Sequence, residues 1–486
     1  MARIVVLGAG ISGHTAALHL RRKLPKQHEV VVVSPNSRWN WIPSNIWVGV
    51  GKMTPEQVTF PIAPIYKRNG IVFHQALAKA IHPEGDVATD TPFVEISYTD
   101  PSKSGEVARL EYDYLINATG PKLNFAATPG LGPDGNSVSV CTAGHAVEAS
   151  KKFAEVIAKL KAGQRQTLVI GMGHGTCTCQ GAAFEYTFNV EHELREAGVR
   201  DKADLFYITN ESALGDFGMD GMTFRMGGQT VTSEQWMESL FRERGVRAIM
   251  ESAIERVDPN KITYETLDGS KHELNFDFAM LLPPFGGVGL TSVNKAGEDI
   301  TAELFAPSGF MRVDADYTPK SYEEFKASDW PATYQTPKFR NIFAVGIAFA
   351  PPHQLSKPNK TPNGTMIAPA PPRTGMPSGV IGRAVAMSIC DMILKGAQEP
   401  THPASMAHMG AACVASAGTG LLKGEAAAMT VYPVVPDKDK YPEGGGRSLA
   451  DTFGDLGLSA HWMKFMLHYL FIYKAKAKPL WYLIPE

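Results

Sequence analysis

The chain has five cysteines, and two of them lie where a thiol could be reactive. Residues Thr167–Ile170 read as a buried strand, and the loop GMGHG at 171–175 separates this strand from Cys177 and Cys179. The amide donors and dipole of a helix N-terminus stabilise a thiolate. The C-x-C pair therefore predicts thiol redox chemistry at the start of a helix. Two small core residues, or a fragment of a metal site with no matching second pair, are the alternatives.

The loop before these cysteines departs from a pyridine nucleotide loop. Thr176 stands where the third glycine of GxGxxG belongs, and the two cysteines follow at the helix start. The third glycine normally allows close packing of helix on strand beside a bound dinucleotide. The altered loop favours a sulfur donor over NADH as the source of electrons.

An intact glycine loop lies at the N-terminus. Arg3–Leu7 reads as a buried strand, GAGISG at 8–13 follows it, and a helix is predicted over 12–22. Glycines in this spacing let the backbone approach a pyrophosphate held at the helix N-terminus. Ser34 follows the next predicted strand, where a ribose-binding acid is usual, and its hydroxyl can still bond a ribose. The unit predicts a dinucleotide site; a packing turn without ligand is the alternative.

Two later segments favour FAD over NAD as that dinucleotide. LINATG at 115–120 is a strand ending in Ala-Thr-Gly, and NIFAVG at 341–346 resembles the late strand that brings a glycine to the flavin. The predicted FAD contacts are Gly8, Gly10, Gly13, Ser34, Ser44, Asn45, Ala118, Thr119, Gly120, Gly346 and Gly375.

The composition excludes several classes of protein. The balance of 47 basic and 49 acidic residues argues against a nucleic-acid partner, which requires a basic face. The N-terminus enters a strand at once and lacks the pattern of a secretory signal. The longest apolar stretches fall short of the about 18 to 20 residues that a spanning helix needs. We therefore expect synthesis in the cytoplasm of a bacterial-type cell and no membrane span.

The order of the elements predicts an α/β fold with two Rossmann-like dinucleotide-binding domains of the flavoprotein disulfide reductase type. The FAD domain is expected to be discontinuous, over 1–129 and 275–394, with the strand Phe278–Leu282 in its second part. The second Rossmann-like domain is expected over 130–274, and a membrane- and quinone-associating region over 395–486. The proline-rich segment 350–377 cannot be a regular element, and its length indicates that it covers another part of the molecule.

The C-terminal tail is both apolar and basic. From Ser459 it reads SAHWMKFMLHYLFIYKAKAKPLWYLIPE, and residues 461–486 hold four lysines and one glutamate. Apolar helix faces flanked by lysines and tryptophans suit the plane of a membrane interface. The tail predicts a monotopic or peripheral attachment to a lipid bilayer surface. A core helix or a contact in a homo-oligomer is the alternative.

Several of these segments together resemble the sulfide:quinone oxidoreductase family, and the match spans nearly the whole chain. WIPSNIWVGVG at 41–51 contains the family's signature P-S-N-x-W-V-G-V-G. ATGPKL at 118–123, C-T-x-x-H-A from 141, C-x-G-x-A-x-E-Y from 179 and C-x-A-x-x-G from 413 match as well.

The resemblance implies an FAD-dependent enzyme that oxidises sulfide to polysulfide or zero-valent sulfur. Cys179 and Cys413 are then the redox pair beside the flavin, and Cys141 is a third cysteine whose role varies within the family. Joined directly, the Cα atoms of the pair would lie about 4.4–6.8 Å apart. Hydrosulfide attacks one sulfur and leaves a persulfide there, the other cysteine departs as a thiolate, and two electrons reach the flavin.

The resemblance also implies that the electrons pass to a membrane quinone of the ubiquinone or menaquinone class. A quinone is lipid-soluble, so an enzyme that reduces it must reach into the bilayer. In the family an aromatic residue of the tail packs on the quinone ring. Phe471 is the best match to that residue, and Tyr469 is the second candidate.

Glu185 is the candidate proton-handling carboxylate, and His145 is the residue that could tune the thiol of Cys141. Glu185 lies six positions after Cys179 on the same predicted helix, although an exposed or salt-bridged glutamate is an alternative. His145 follows Cys141 by four positions, which would put both on one helical face, although a hydrogen-bonded structural histidine is an alternative.

Three positions stand apart from the family pattern or from the site. Asp216 stands where family members have a second histidine, which puts that proton-transfer role in doubt. Cys177 is an extra cysteine, and the downstream spacing favours Cys179 as the reactive one. Cys390, within a predicted helix, reads as a core residue.

Three rival functions fit parts of the sequence. A type II NADH:quinone oxidoreductase shares the fold, FAD and membrane anchoring, but it predicts an intact second glycine loop. A sulfide dehydrogenase subunit that reduces a cytochrome normally has a secretory signal and no apolar tail. A non-catalytic flavin-binding scaffold leaves the cysteine spacing unexplained.

Overall fold

The computed structural model describes residues 1–373, 375–420, 422 and 424–486. The helices are α1 (Ile11–Lys23), α2 (Asn45–Gly49), α3 (Pro55–Val58), α4 (Ala63–Asn69), α5 (Ala143–Lys161), α6 (Gln180–Glu196), α7 (Ser233–Arg244), α8 (Thr301–Leu304), α9 (Gly375–Lys395) and α10 (Leu458–Ala475). The strands are β1 (Arg3–Leu7), β2 (Glu29–Ser34), β3 (Arg38–Asn40), β4 (Thr59–Pro61), β5 (Val72–His82), β6 (Phe93–Tyr98), β7 (Val107–Glu111), β8 (Tyr114–Asn117), β9 (Lys122–Leu123), β10 (Gln166–Met172), β11 (Ala203–Ile208), β12 (Thr223–Met226), β13 (Gln229–Thr232), β14 (Val246–Ile249), β15 (Ser252–Asp258), β16 (Lys261–Thr266), β17 (Lys271–Asn275), β18 (Phe278–Leu282), β19 (Phe285–Gly286), β20 (Thr291–Ser292), β21 (Ile342–Ala344), β22 (Asn359–Lys360), β23 (Met366–Ile367), β24 (Ala411–Ala417), β25 (Glu425–Val431) and β26 (Phe453–Gly457).

The first sheet has the strand order β21-β8-β1-β2-β5-β6-β7, with β20 beside β5. Strand β1 pairs in parallel with β2 and β8, and β8 pairs in parallel with β21. The apolar residues of β1 are buried, as is typical of a parallel strand in a sheet that is covered on both faces. The carboxyl ends of β1, β8 and β21 therefore meet at one edge, as the three predicted flavin motifs require. The predicted α/β fold is confirmed.

The second sheet is parallel throughout, with the order β14-β11-β10-β18. The prediction that Phe278–Leu282 belongs to the first domain is wrong, because this strand pairs with β10 from Leu168 to Met172. An apolar strand buried on both faces carries no sign of which sheet it joins. The chain returns to the first sheet only after this strand.

The third sheet joins the C-terminal region to the middle of the chain. Its order is β13-β12-β26-β25-β24, so the hairpin β12–β13 extends a sheet built otherwise from residues 411–457. Helix α10 lies across this sheet and buries Ala460 against Val414, Ala426 and Ala428. This packing positions α10 beside the N-terminal half of α6, which contacts β24 directly.

Helix α9 is the one helix in the described part of the chain that is long and apolar enough to cross a membrane. It packs against α1 so closely that a Cβ on Gly382 would lie 2.4 Å from the carbonyl oxygen of Ser12. The hydroxyl of Ser12 also donates to the carbonyl of Ser378 at 2.6 Å. These contacts explain its apolar composition as that of an interior helix.

Candidate active site

The turn after β1 is held by close backbone contacts. A Cβ on Gly8, where φ is +103°, would lie 2.1 Å from the carbonyl oxygen of Ala118, and one on Gly13 would lie 2.1 Å from that of Gly8. Only glycine fits such approaches without movement of the backbone. The amide of Ala118 donates to the carbonyl of Leu7 at 2.7 Å, which joins this turn to the one after β8.

The space in front of these turns fits the pyrophosphate of a dinucleotide. A Cβ on Gly10 or Gly120 would meet no atom within 4 Å. Gly10 caps α1 without a side-chain hydrogen bond, and the first turn of α1 carries no acidic residue. The first amides of the helix are therefore free to donate to an anion.

Other predicted FAD contacts surround this turn. Ser34 is buried and accepts a hydrogen bond from the amide of Asn36 at 3.3 Å. Thr119 donates its hydroxyl proton to the Asn117 side chain at 2.8 Å. A Cβ on Gly346 would lie 2.3 Å from the hydroxyl oxygen of Ser12, so this late turn reaches the start of α1.

The side chains of Ser44 and Asn45 form hydrogen bonds within the protein. The Ser44 hydroxyl lies 2.8 Å from Nδ1 of His468 on α10. The Asn45 amide donates to the carbonyl of Val140, next to Cys141, at 3.2 Å. These two residues connect the segment after β2 to the tail and to the cysteine region, and their contact with FAD stays a prediction.

Cys179 is the N-cap residue of α6, and its backbone is left-handed with φ of 71°. A non-glycine residue in this region costs on the order of 1 kcal/mol or more, and such strain clusters at functional sites. The side chain is half-buried. Burial raises the pKa of its thiol, and the Thr178 hydroxyl and the Arg373 guanidinium oppose that effect.

Cys413 lies on β24 and faces the first turn of α6. A Cβ on Gly181, two positions after Cys179, would lie 2.8 Å from Sγ of Cys413. Burial raises the pKa of this thiol to about 12, Glu185 raises it further, and Lys464 lowers it. The structure thus brings the two cysteines, far apart in sequence, to one helix start, as the resemblance implied.

Cys141 and Cys177 lie in the same region, and all five cysteines are free thiols here. Burial raises the pKa of Cys141 to about 12, and the thiol of Cys179 is among the groups that interact with it. Cys177 is fully buried, and its thiol donates to the carbonyl of Leu282 at 3.1 Å. Cys177 therefore has the environment of a structural thiol. Cys390 is buried in α9, as predicted for a core residue.

Glu185 forms a buried network beside Cys413. Its carboxylate lies 3.0 Å from the ammonium of Lys464 on α10 and accepts a hydrogen bond from the amide of Ser416 on β24 at 3.2 Å. The two side chains of the ion pair are 6% and 8% exposed. Burial raises the pKa of Glu185, and Lys464 opposes that effect. The network therefore ties α6, β24 and α10 together beside Cys413.

The expectation that Cys141 and His145 share a helical face is wrong. Helix α5 begins at Ala143 and Thr142 is its N-cap, so Cys141 lies before the helix. The His145 ring packs edge-on against Phe125, at 5.8 Å between centroids. Its Nδ1 is buried without a hydrogen-bond partner in the described residues.

The second glycine loop is covered by the proline-rich segment. The amide of Ala368 donates to the carbonyl of Gly175 at 2.8 Å, and the amide of Ala370 donates to that of Cys177 at 3.0 Å. A Cβ on Gly175 would lie 2.1 Å from the carbonyl oxygen of Met366. The backbone of this chain thus occupies the region where a pyridine nucleotide would approach the loop.

Helix α10 has a polar buried face and an apolar exposed face. His461, Lys464 and His468 point into the protein, whereas Met466 and Leu470 are exposed. The His461 ring lies 2.6 Å from the Ser416 hydroxyl, and burial lowers the pKa of His468 to about 4. An exposed apolar helix face of this kind marks a surface for interaction rather than one that is turned to water.

Two of the four tail lysines do not flank the exposed face, contrary to the sequence-based expectation. Lys464 pairs with Glu185, and Lys474 is buried with its ammonium 2.8 Å from the carboxylate of Glu486. The same carboxylate lies 3.0 Å from Nε2 of His19. Buried carboxylates require a nearby cation, and these two lysines supply it. Lys476 and Lys478 remain at the surface side of the tail.

The predicted quinone residues lie on α10 at the edge of an aromatic stack. Phe471 stacks on Trp41 at 4.9 Å between ring centroids, and Trp41 stacks on Trp39 at 6.0 Å. Tyr469 is 55% exposed and packs edge-on against His468. Ser44 and His468, whose side chains are hydrogen-bonded to each other, add polar groups, and His468 lies on the same helix as Phe471 and Tyr469.

Sequence reasoning did not identify Lys464 as part of the site. The signal was present as a single lysine within an otherwise apolar helical stretch, four positions before His468. A lone cation in an apolar stretch needs a buried counter-ion, which is the reading that would have linked it to Glu185.

Comparison with known proteins agrees with this geometry. The profile of the pyridine nucleotide-disulphide oxidoreductase family matches residues 2–198. The chain is similar to the sulfide-quinone reductase of Aquifex aeolicus (strain VF5), with 29% identity over 474 residues, 97% of this chain and 91% of the relative. It is also similar to the mitochondrial sulfide:quinone oxidoreductase of Dictyostelium discoideum, with 22% identity over 71% of this chain and 64% of the relative.

Solved structures show the same relation. The sulfide:quinone oxidoreductase of Aquifex aeolicus superposes with a TM-score of 0.74 and 26% identity, covering 98% of this chain and 92% of the other. NDH2 of Plasmodium falciparum in complex with NADH superposes with a TM-score of 0.62 and 12% identity, covering 98% and 96%. At that identity the second likeness concerns the fold alone.

Proposed function

We propose that this chain is a sulfide:quinone oxidoreductase, which oxidises sulfide through Cys179 and Cys413 and passes the electrons through FAD to a membrane quinone. The observation that supports these residues most directly is the approach of Cys413 to Gly181, in the first turn after Cys179. The product is polysulfide or another form of zero-valent sulfur.

When bound, FAD would supply two-electron transfer between the cysteine pair and the quinone. The protein supplies the remaining chemistry. Hydrosulfide is an anion near neutral pH and attacks one sulfur of an oxidised Cys179–Cys413 pair, which leaves a persulfide on that cysteine and a thiolate on the other. Cys141, whose thiol interacts with that of Cys179, is the proposed acceptor of sulfur from the pair as a chain grows.

Glu185 is the proposed acceptor for the proton that the persulfide must lose before it reacts again. It is buried beside Cys413, and burial raises its pKa, which favours the protonated form. The ammonium of Lys464 opposes the effect of burial and stabilises the ionised form of this carboxylate.

The type II NADH:quinone oxidoreductase alternative requires an open second glycine loop. Hydrogen bonds from Ala368 and Ala370 occupy the carbonyls at Gly175 and Cys177, and Met366 lies against Gly175. NADH could enter only after this segment had moved. The geometry therefore favours sulfide as the electron donor.

An anaerobic titration of the purified, FAD-loaded protein tests the function. We expect sulfide to bleach the flavin absorption at about one equivalent per flavin, because the reaction delivers two electrons, and NADH to leave it unchanged. Bleaching by NADH alone, with no response to sulfide, would replace the proposal by the NADH:quinone alternative.

We further propose that the exposed face of α10 and the residues after it rest on a lipid bilayer. Met466, Leu480 and Leu483 are large apolar side chains with more than half of their surface exposed. They lie on the same tail as Phe471 and Tyr469, the proposed quinone contacts. Insertion of this face would let a lipid-soluble quinone reach Phe471 and Tyr469 without entering water.

Substitution of Met466, Leu480 and Leu483 by asparagine should weaken vesicle binding by about tenfold or more, because each apolar side chain contributes roughly 1.5–3 kcal/mol when fully buried. Flotation with liposomes measures this, and reduction of a water-soluble quinone analogue should persist. Asparagine at Val87 and Val107, which are 88% and 68% exposed and remote from the tail, is the matched control. Equal flotation of both variants would remove the tail from membrane binding.

A further inference from the structure

Within the described part of the chain, Arg373 is a buried cation that no carboxylate pairs with. Its residue is 7% exposed, and Nη1 donates to the carbonyls of Ile347 and Phe349 at 2.8 and 2.6 Å. Its Nε is buried and finds no hydrogen-bond partner among the residues that the structure describes. Its guanidinium carbon lies 4.5 Å from the ring centroid of Phe310. A buried charge without a counter-ion costs several kcal/mol, so an anion is expected beside it.

The segment that carries Arg373 lies directly on the reactive helix start. The amide of Ala370 donates to the carbonyl of Cys177 at 3.0 Å, and the hydroxyl of Thr178 donates to the carbonyl of Pro371 at 3.4 Å. Arg373 follows these contacts by two to three positions. The segment that covers the second glycine loop therefore also carries Arg373 to the start of α6.

Few charged or titratable groups face this guanidinium. Those that interact with it are Cys179 and the phenol of Tyr317. Burial lowers the pKa of Arg373 to about 10, so it remains a cation at neutral pH. Around Cys179 the other titratable groups are the thiols of Cys141, Cys177 and Cys413. Burial raises the pKa of all four thiols, and Arg373 opposes that effect only at Cys179. Among the described residues, the cysteine at the N-cap of α6 is thus the group best placed to supply the anion.

We propose that Arg373 binds the thiolate of Cys179 and so makes Cys179 the leaving sulfur of the pair. This inference rests on the proposed function. In the step concerned, hydrosulfide forms an S–S bond to Cys413 while the Cys413–Cys179 bond breaks. The electron pair of the broken bond stays on Cys179, and the proton stays on the incoming sulfur. One negative charge is present before and after the step, and it moves to the sulfur beside Arg373.

Cysteine alkylation tests this without turnover. The FAD-loaded protein is reduced with a thiol reductant under anaerobic conditions, and the rate of Cys179 alkylation by iodoacetamide is followed by peptide mass spectrometry from about pH 6 to about pH 10, because only the thiolate reacts. Arg373→Gln keeps donors for the two carbonyls but removes the charge. We expect it to slow alkylation of Cys179 about tenfold or more at a given pH, which corresponds to a pKa higher by about one unit. Arg373→Lys should restore most of the wild-type profile.

Arg447 provides the matched control, because it is also a buried arginine whose Nε has no partner in the described part of the chain. Its guanidinium interacts with Asp216 and Asp220 and not with a cysteine. Arg447→Gln should leave the Cys179 profile unchanged. Arg373→Met serves as a second neutral variant if the glutamine variant does not fold. A wild-type Cys179 profile in either folded neutral variant overturns the proposal, and this result does not depend on whether sulfide reduces the flavin.

Discussion

Replacing either Cys179 or Cys413 by serine should abolish sulfide-driven quinone reduction while FAD stays bound. Serine is close in size to cysteine, and neither residue belongs to the first glycine loop that is predicted to hold the pyrophosphate. A hydroxyl cannot form the disulfide that hydrosulfide attacks, nor leave as a stabilised thiolate. We expect a loss of at least about a thousandfold, comparable with removal of a nucleophile in other covalent mechanisms. The activity is measured as turnover with sulfide and a soluble quinone. The retention of FAD is measured by the flavin absorption of the purified variants.

Cys177→Ser is the matched control for these variants. Cys177 lies two positions before Cys179 but is fully buried, with its thiol bonded to the carbonyl of Leu282. A serine hydroxyl can donate to the same carbonyl, so sulfide oxidation should stay within about twofold of wild type. Undiminished turnover of Cys179→Ser with loss in Cys177→Ser would transfer the redox role to Cys177.

The parts of the fold that the sequence predicts best are those set by local pattern. The strand Arg3–Leu7 has the predicted bounds, and α1 begins within the predicted glycine loop because the spacing of Gly8, Gly10 and Gly13 leaves few other conformations. Phe278–Leu282 was assigned to the wrong sheet for the opposite reason. A strand buried on both faces is a run of apolar residues, and such a run does not encode its neighbours.

The candidate site shows the same division. Cys179 could be recognised from the loop and helix around it, whereas the approach of Cys413 depends on how β24 packs on α6 and came only from the family resemblance. The roles of the tail lysines were beyond sequence reasoning as well. Lys464 and Lys474 look like interfacial lysines until Glu185 and Glu486 are seen beside them.

Lys464→Met should destabilise the protein strongly, because it leaves the carboxylate of Glu185 buried beside Cys413 without its counter-ion. Loss of one partner from a buried pair costs about 3–5 kcal/mol, whereas replacement of both partners by neutral groups is often close to neutral. The melting temperature of the FAD-loaded variant should therefore fall clearly below that of wild type. The double variant Glu185→Gln with Lys464→Met should recover most of the loss.

The pH dependence identifies the cause of that destabilisation. Burial already raises the pKa of Glu185, and removal of Lys464 raises it further, since the cation opposes the effect of burial. In the unfolded chain a glutamate has a pKa of about 4.3. The folded single variant therefore binds the proton of Glu185 more tightly than the unfolded chain does. Below that pH the single variant should keep its stability relative to the double variant. As the pH rises through the unfolded pKa, this relative stability should decline. The decline should stop once Glu185 is ionised in the folded state as well. Equal melting temperatures of the single and double variants across this range would mean that the Glu185–Lys464 pair does not stabilise the junction of α6, β24 and α10.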